Sequence, residues 1–232
     1  MALPKLTTPT YELDLPSTGE KIKFRPFLVK EQKLLMMAEE SRDEKQISEM
    51  IQQLIGSCTF GKIDAILSPI FDVEYVFLQL RMRSVGANIE LNITCPDDKK
   101  TEVPVKINLE DVNVLNDEKH TNIVNVTDTI KMVMKYPQLS EIHSIKNTAE
   151  NIFSLLMKCI TEVHDGDIIH NRTDITDKEL NEFVDSFNTE QLGSLMQFFE
   201  TMPKVRHVIN VTNPNTKVVS EVILEGMETF LV

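Results

Sequence analysis

The chemistry-bearing residues of this chain are three cysteines, five histidines and a few close carboxylates. Cys95-Pro96 follows an alternating apolar segment, which is how a zinc knuckle begins. Zinc takes four thiolate or imidazole ligands in a tetrahedron, normally two from each of two knuckles. Here Pro96-Asp97-Asp98 follows, so the second thiolate is missing. The matching turn late in the chain, Asn213-Pro214-Asn215, carries no cysteine. Both turns are expected to hold themselves with Asn, Pro and Asp, so no metal site is assigned.

Nucleophilic catalysis finds no better footing. Cys58 falls at a helix end and Cys159 within an apolar stripe, where a thiol behaves as a small hydrophobe. His120, His143, His164, His170 and His207 share no motif. There is no Gly-x-Ser-x-Gly, Walker loop or Rossmann fingerprint, and seven glycines leave little for a phosphate cradle. The pairs Glu39/Glu40, Asp97/Asp98 and Glu110/Asp111 fall at helix ends and turns, where solvation and capping account for them. Asp165-Gly166-Asp167 lacks the ligand series and terminal Glu of an EF-hand. The expectation is a protein that is not an enzyme, with no catalytic residue and no cofactor. A cryptic hydrolase would have to show an activity that is lost on changing Cys95 or a histidine.

Composition narrows the partners. A net charge of −12 argues against nucleic acid or an anionic membrane, since both call for a positive surface. No stretch approaches the ~20 apolar residues of a membrane span, and Met1-Ala2-Leu3-Pro4-Lys5-Leu6 has no signal-peptide core. Three cysteines without a short-spaced pair then read as reduced cytosolic thiols. No small-molecule substrate is implied.

The elements follow from periodicity. Residues 3–10, with two prolines, read as an extended arm. Tyr11, Leu13 and Leu15 alternate, Pro16-Ser17-Thr18-Gly19 turns, and Ile22 and Phe24 return, giving a hairpin that Pro26 ends. Three helices are expected: from Lys30 to about Ser41, along Ile47–Ile55, and along Val73–Leu80 with Asp72 as N-cap and Gly86 as C-cap. A second hairpin occupies 88–109. Ile123–Val126 and Ile130–Met134 form a third. One long helix is expected to carry Ile152, Leu155, Leu156, Cys159, Ile160 and Val163, ending at Asp165-Gly166. Thr176 and Glu179 make a capping box for the next helix, Leu192–Phe199 marks another that Pro203 stops, and a last hairpin turns at Asn213-Pro214-Asn215.

The pattern reads as said twice. Phe24-Arg25-Pro26-Phe27-Leu28-Val29-Lys30-Glu31 is echoed by Met134-Lys135-Tyr136-Pro137-Gln138-Leu139-Ser140-Glu141, and Leu91-Asn92-Ile93-Thr94-Cys95-Pro96 by Ile209-Asn210-Val211-Thr212-Asn213-Pro214. The steps from 26 to 137, 92 to 210 and 109 to 224 each come near half of the 232 residues, the mark of an internal duplication. The expected fold is α+β: two similar lobes in tandem, 1–115 (with the arm 1–10) and 116–232, each hairpin–helices–hairpin.

Three strings, Met1–Leu13, Ile22–Lys33 and Phe71–Arg81 followed by Ser84-Val85-Gly86, resemble the baseplate hub and hub-assembly proteins of T-even-like contractile-tailed bacteriophages. The resemblance covers the whole chain. It implies a non-enzymatic tail protein that builds the baseplate through contacts with other hub proteins, made in the bacterial cytoplasm and residing in the virion tail. An assembly chaperone absent from the virion is the alternative. Some relatives carry fuller cysteine knuckles; this chain keeps only Cys95. The candidate partner-binding residues are Leu3, Pro4, Leu6 and Pro9 of the arm, then Arg25 and Phe27 at the first strand-to-helix corner.

Overall fold

The computed structural model describes residues 6–41, 44–142 and 149–230. The chain opens with an antiparallel hairpin, β1 (Tyr11–Asp14) and β2 (Lys21–Phe24), in the register Tyr11↔Phe24. Its alternation buries Leu13, Ile22 and Phe24 and leaves lysines and acids in solvent. Helices α1 (Val29–Ser41), α2 (Glu44–Cys58) and α3 (Ile70–Val85) follow. The α2 stripe buries Ile51, Leu54, Ile55 and Cys58, and α3 buries Phe71, Val73, Val76, Phe77 and Leu80. Gly86 ends α3 at φ 103°, a conformation few other residues adopt.

Asp72 does not cap α3. The helix starts one turn earlier, with Pro69 as its N-cap, and Asp72 lies buried in the first turn. Its carboxylate accepts from the Ser17 amide (3.0 Å) and the Ser17 hydroxyl instead. A long-range partner outcompeted the local one.

Strands β3 (Asn88–Thr94) and β4 (Glu102–Asn108) form the second hairpin, and a short strand β5 (Asn113–Leu115) follows. Next come β6 (Ile123–Asn125), β7 (Ile130–Met134), the single turn α4 (Leu139–Ile142) and α5 (Ala149–Cys159). The long helix expected to reach Val163 stops at Cys159. Residues Ile160–Asp165 are strand β8, which turns at Asp165-Gly166 into β9 (Ile168–Asn171). Ile160, Thr161 and Val163 are β-branched, and Asp-Gly is a hairpin turn pair as readily as a helix stop. As a strand, the segment pairs with β7 and β9 together, giving the sheet order β6-β7-β8-β9. A helix could supply neither ladder.

Helix α6 (Asp177–Asp185) carries the expected Thr176/Glu179 capping box. Helix α7 (Thr189–Thr201) has a second box, Asn188/Gln191, with the same spacing. The last hairpin is β10 (Lys204–Thr212) and β11 (Val219–Glu225). The architecture is thus α+β, with seven α-helices and several small antiparallel sheets among the described residues.

The chain groups into two compact units. One holds residues up to 115 and those from 204 on; the other holds 116–203. The second expected lobe runs over residues 116–232. Its last hairpin belongs with the first because β10 pairs with β5, Val205 opposite Val114, and the β5 pairing was not visible in the sequence. Within that unit Leu78, Ile89, Leu91, Ile107, Val205, Leu224 and Phe230 share a core. The other unit packs Met132, Met134, Leu156, Cys159, Ile160, Val163, Leu180, Leu195 and Phe198.

Candidate functional site

Two strand-to-helix corners are built alike. At the first, Arg25 Nη2 lies 2.8 Å from Glu31 Oε1, and Glu31 Oε2 accepts the Leu28 amide at 2.8 Å. Glu31 is the third residue of α1, so its carboxylate reaches back to the N-cap amide while binding the guanidinium. The Arg25 amide donates to the Cys58 carbonyl at 3.0 Å. At the second, Lys135 Nζ lies 2.6 Å from Glu141 Oε1, Glu141 Oε2 accepts the Gln138 amide at 3.0 Å, and the Lys135 amide donates to Cys159 O at 2.7 Å. Burial works against ionised Glu31, but the bonds from Arg25, Leu28 and Lys30 outweigh it and hold its carboxyl below the ordinary value.

These corners explain the two inner cysteines. Burial pushes the Cys58 thiol up to about 11 and the Cys159 thiol up to about 12, so neither presents a thiolate near neutrality. Cys95 is buried too, and burial with Asp97 and Asp98 nearby raises it as well.

The two knuckle-shaped tips meet. Asn213 Nδ2 donates to both oxygens of Asp97 (3.0 and 3.1 Å), Thr216 Oγ1 donates to Asp97 Oδ2, and Asn215 Nδ2 reaches Thr101 Oγ1 at 3.0 Å. Asn213 Oδ1 accepts the Asn215 amide at 2.9 Å. Asp98 accepts the amides of Lys100 and Thr101, each at 3.0 Å, and the Thr101 hydroxyl, which holds it well below the usual carboxylate range. Both turns close on a lysine with positive φ: Lys99 at 54° and Lys217 at 65°. Polar side chains thus join the two tips directly. Among the described residues, no group of three or more His, Cys, Asp or Glu is arranged to hold one.

The partner-binding candidates divide. Leu3 and Pro4 lie outside the described residues. Leu6 is 92% exposed and Pro9 is exposed, on a segment without secondary structure ahead of β1. Arg25 is committed to Glu31 and to the Pro26 carbonyl (3.0 Å). Phe27 is half-buried, and its amide donates to Ser84 Oγ at 2.9 Å. The structure brings Arg25 and Phe27 to one corner. Phe60, exposed at the end of α2 with φ 57°, had no signal beyond the Phe60-Gly61 pair.

Of the histidines, His120 packs against Tyr136 and Phe198, with ring centroids 5.6 and 5.1 Å away, and its Nδ1 is 2.9 Å from Thr201 Oγ1. His164 meets Glu162 at 2.7 Å and His170 is exposed on β9. His143 lies outside the described residues. No helix among the described residues is long and apolar enough to cross a membrane.

Clasped tips and ion-paired corners fix loops in place; they are architectural devices. The chain belongs to the family described as T4 bacteriophage base plate protein, whose model matches residues 8–232. It is a phage baseplate protein. Comparison with curated proteins and with solved structures returns no match.

Proposed function

We propose that this chain is a non-enzymatic subunit of the baseplate hub that stays in the virion tail and works through contacts with other hub proteins. The observation that carries the reading is the arm. In a family whose members are baseplate proteins, residues 6–10 run ahead of β1 with Leu6 almost wholly in solvent. An apolar side chain offered on an extended, proline-punctuated segment suits a strap laid on a neighbour. Arg25 and Phe27 serve that role by fixing the corner behind the first hairpin.

The same reading takes the chain as two repeats, 1–115 and 116–232. The matched bonds at Arg25–Glu31 and Lys135–Glu141, and the paired tips at Cys95–Lys99 and Asn213–Lys217, support a duplication.

Quantitative mass spectrometry of mature virions against hub precursors tests the reading. Stoichiometric presence in the virion supports a permanent subunit. Enrichment in precursors with absence from virions replaces it with an assembly chaperone active in the host cytoplasm.

A further inference from the structure

The 116–203 unit holds a groove of about 320 Å³ between the β8–β9 hairpin and α6. Its floor is apolar, formed by Val163, Leu180 and Phe183. Its rim is acidic: Asp165 on the hairpin, Asp174 before α6 and Glu179 in the first turn of α6. The remaining titratable group lining it is His170, on an edge strand whose Ile168 and Ile169 are 60% and 54% exposed. Glu179 is engaged by Thr176 and Asp174 accepts from Asn171 and Thr173, each at 3.3 Å, while both Asp165 and Asp174 stand exposed at the mouth. An apolar floor under a negative rim suits a segment that alternates aliphatic side chains with a cation.

The chain contains such a segment. Leu3-Pro4-Lys5-Leu6 sets two leucines around a lysine, and the first acidic residue of the sequence is Glu12. Leu6 is 92% exposed, so nothing among the described residues covers it. Residues 3–9 carry two prolines, which favour a pre-extended strap with little conformational freedom to lose on docking. We infer that the arm of a second copy seats in this groove, Leu3 and Leu6 on the apolar floor and Lys5 against Asp165 and Asp174, so that copies associate by arm exchange. This deepens the strap reading by naming where the arm lands.

The test is sedimentation of the full chain over a range of concentrations, alongside Leu6→Asp, the rim variant Asp165→Lys/Asp174→Lys, and that rim variant combined with Lys5→Glu. The substituted residues with described side chains are exposed, and circular dichroism checks that each variant remains folded. The expected result is self-association that Leu6→Asp abolishes, that the rim variant weakens about ten-fold, and that Lys5→Glu restores. A chain that is monomeric throughout, or one whose association survives Leu6→Asp, overturns the inference. So does a rim variant that weakens association with no recovery from Lys5→Glu, since that reports general charge. If truncation of residues 1–10 weakens binding to another hub protein while the chain stays monomeric, the strap reading stands and the arm-exchange inference falls.

Discussion

The Asn213 amide nitrogen donates to both carboxylate oxygens of Asp97, joining the tips of two hairpins far apart in sequence. The Asn213 carbonyl oxygen meanwhile orders its own turn by accepting the Asn215 amide. One buried side chain thus serves its own loop and the opposing one. Asn213→Ala leaves those groups without it, and the expected loss is about 2 kcal/mol in a denaturant melt. Because side chains close the clasp, EDTA should leave the melting temperature of the wild-type protein unchanged. A drop on chelation would mean that a metal does part of this work.

Asp72 behaves in the opposite sense to most buried carboxylates with a partner. Burial raises its pKa above the ordinary value, and the two bonds from Ser17 only partly counter that. The native state therefore holds this proton more tightly than the unfolded chain. The contribution to stability is largest below the unfolded value and declines as pH rises through the native one. Asp72→Asn keeps an acceptor for the Ser17 amide and removes the charge. It should match or exceed wild-type stability at neutral pH, with the advantage shrinking in acid. Asp72→Ala should be destabilising by about 2 kcal/mol in acid, since the Ser17 amide loses its acceptor, and by less at neutral pH, where it also removes a buried charge. Equal pH slopes for wild type and Asp72→Asn would refute the assignment.

Sequence pattern read the hairpins well because a period of two with one buried face leaves few alternatives. Tyr11 to Phe24, Asn88 to Asn108 and Lys204 to Glu225 all pair as the alternation requires. It misread Ile160–Asp165 because that run continues the apolar stripe of α5 directly, and its β-branched residues fit either period. The three-residue strand at Asn113 was illegible for a different reason: it exists by pairing with β10, a non-local fact. For the site, Asp97 and Asn213 could be recognised as turn residues. That they bond to each other could not, since sequence gives turns and not which turns meet. Asn188/Gln191 repeats the capping spacing recognised at Thr176/Glu179 and was equally available.

Phe60 sits at the end of α2 with φ 57°, where the Gly61 amide donates to the Gly56 carbonyl at 2.8 Å. This is the helix-ending position that glycine ordinarily takes, because a Cβ there meets the backbone. Phe60 is 57% exposed and contributes limited burial in return. Phe60→Gly should therefore stabilise the protein by about 1 kcal/mol, seen as a rise in melting temperature. A fall would show that the ring's packing outweighs its backbone conformation.

The twin corners make a graded pair. Glu31 and Glu141 play the same part, each binding a cation six residues upstream and the amide of its own N-cap. Their settings differ: the Arg25 and Glu31 side chains are 12% and 3% exposed, those of Lys135 and Glu141 35% and 13%. Glu31→Gln leaves a buried guanidinium without its anion, and should cost about 3 kcal/mol. Glu141→Gln leaves a lysine that can turn toward water, and should cost about 1 kcal/mol. Salt separates them further, since screening acts on the exposed pair and hardly on the buried one. Denaturant melts of both variants at low and high salt check this. Equal costs would mean that burial does not set the worth of the ion pair, since Gln keeps an acceptor for the N-cap amide at both corners.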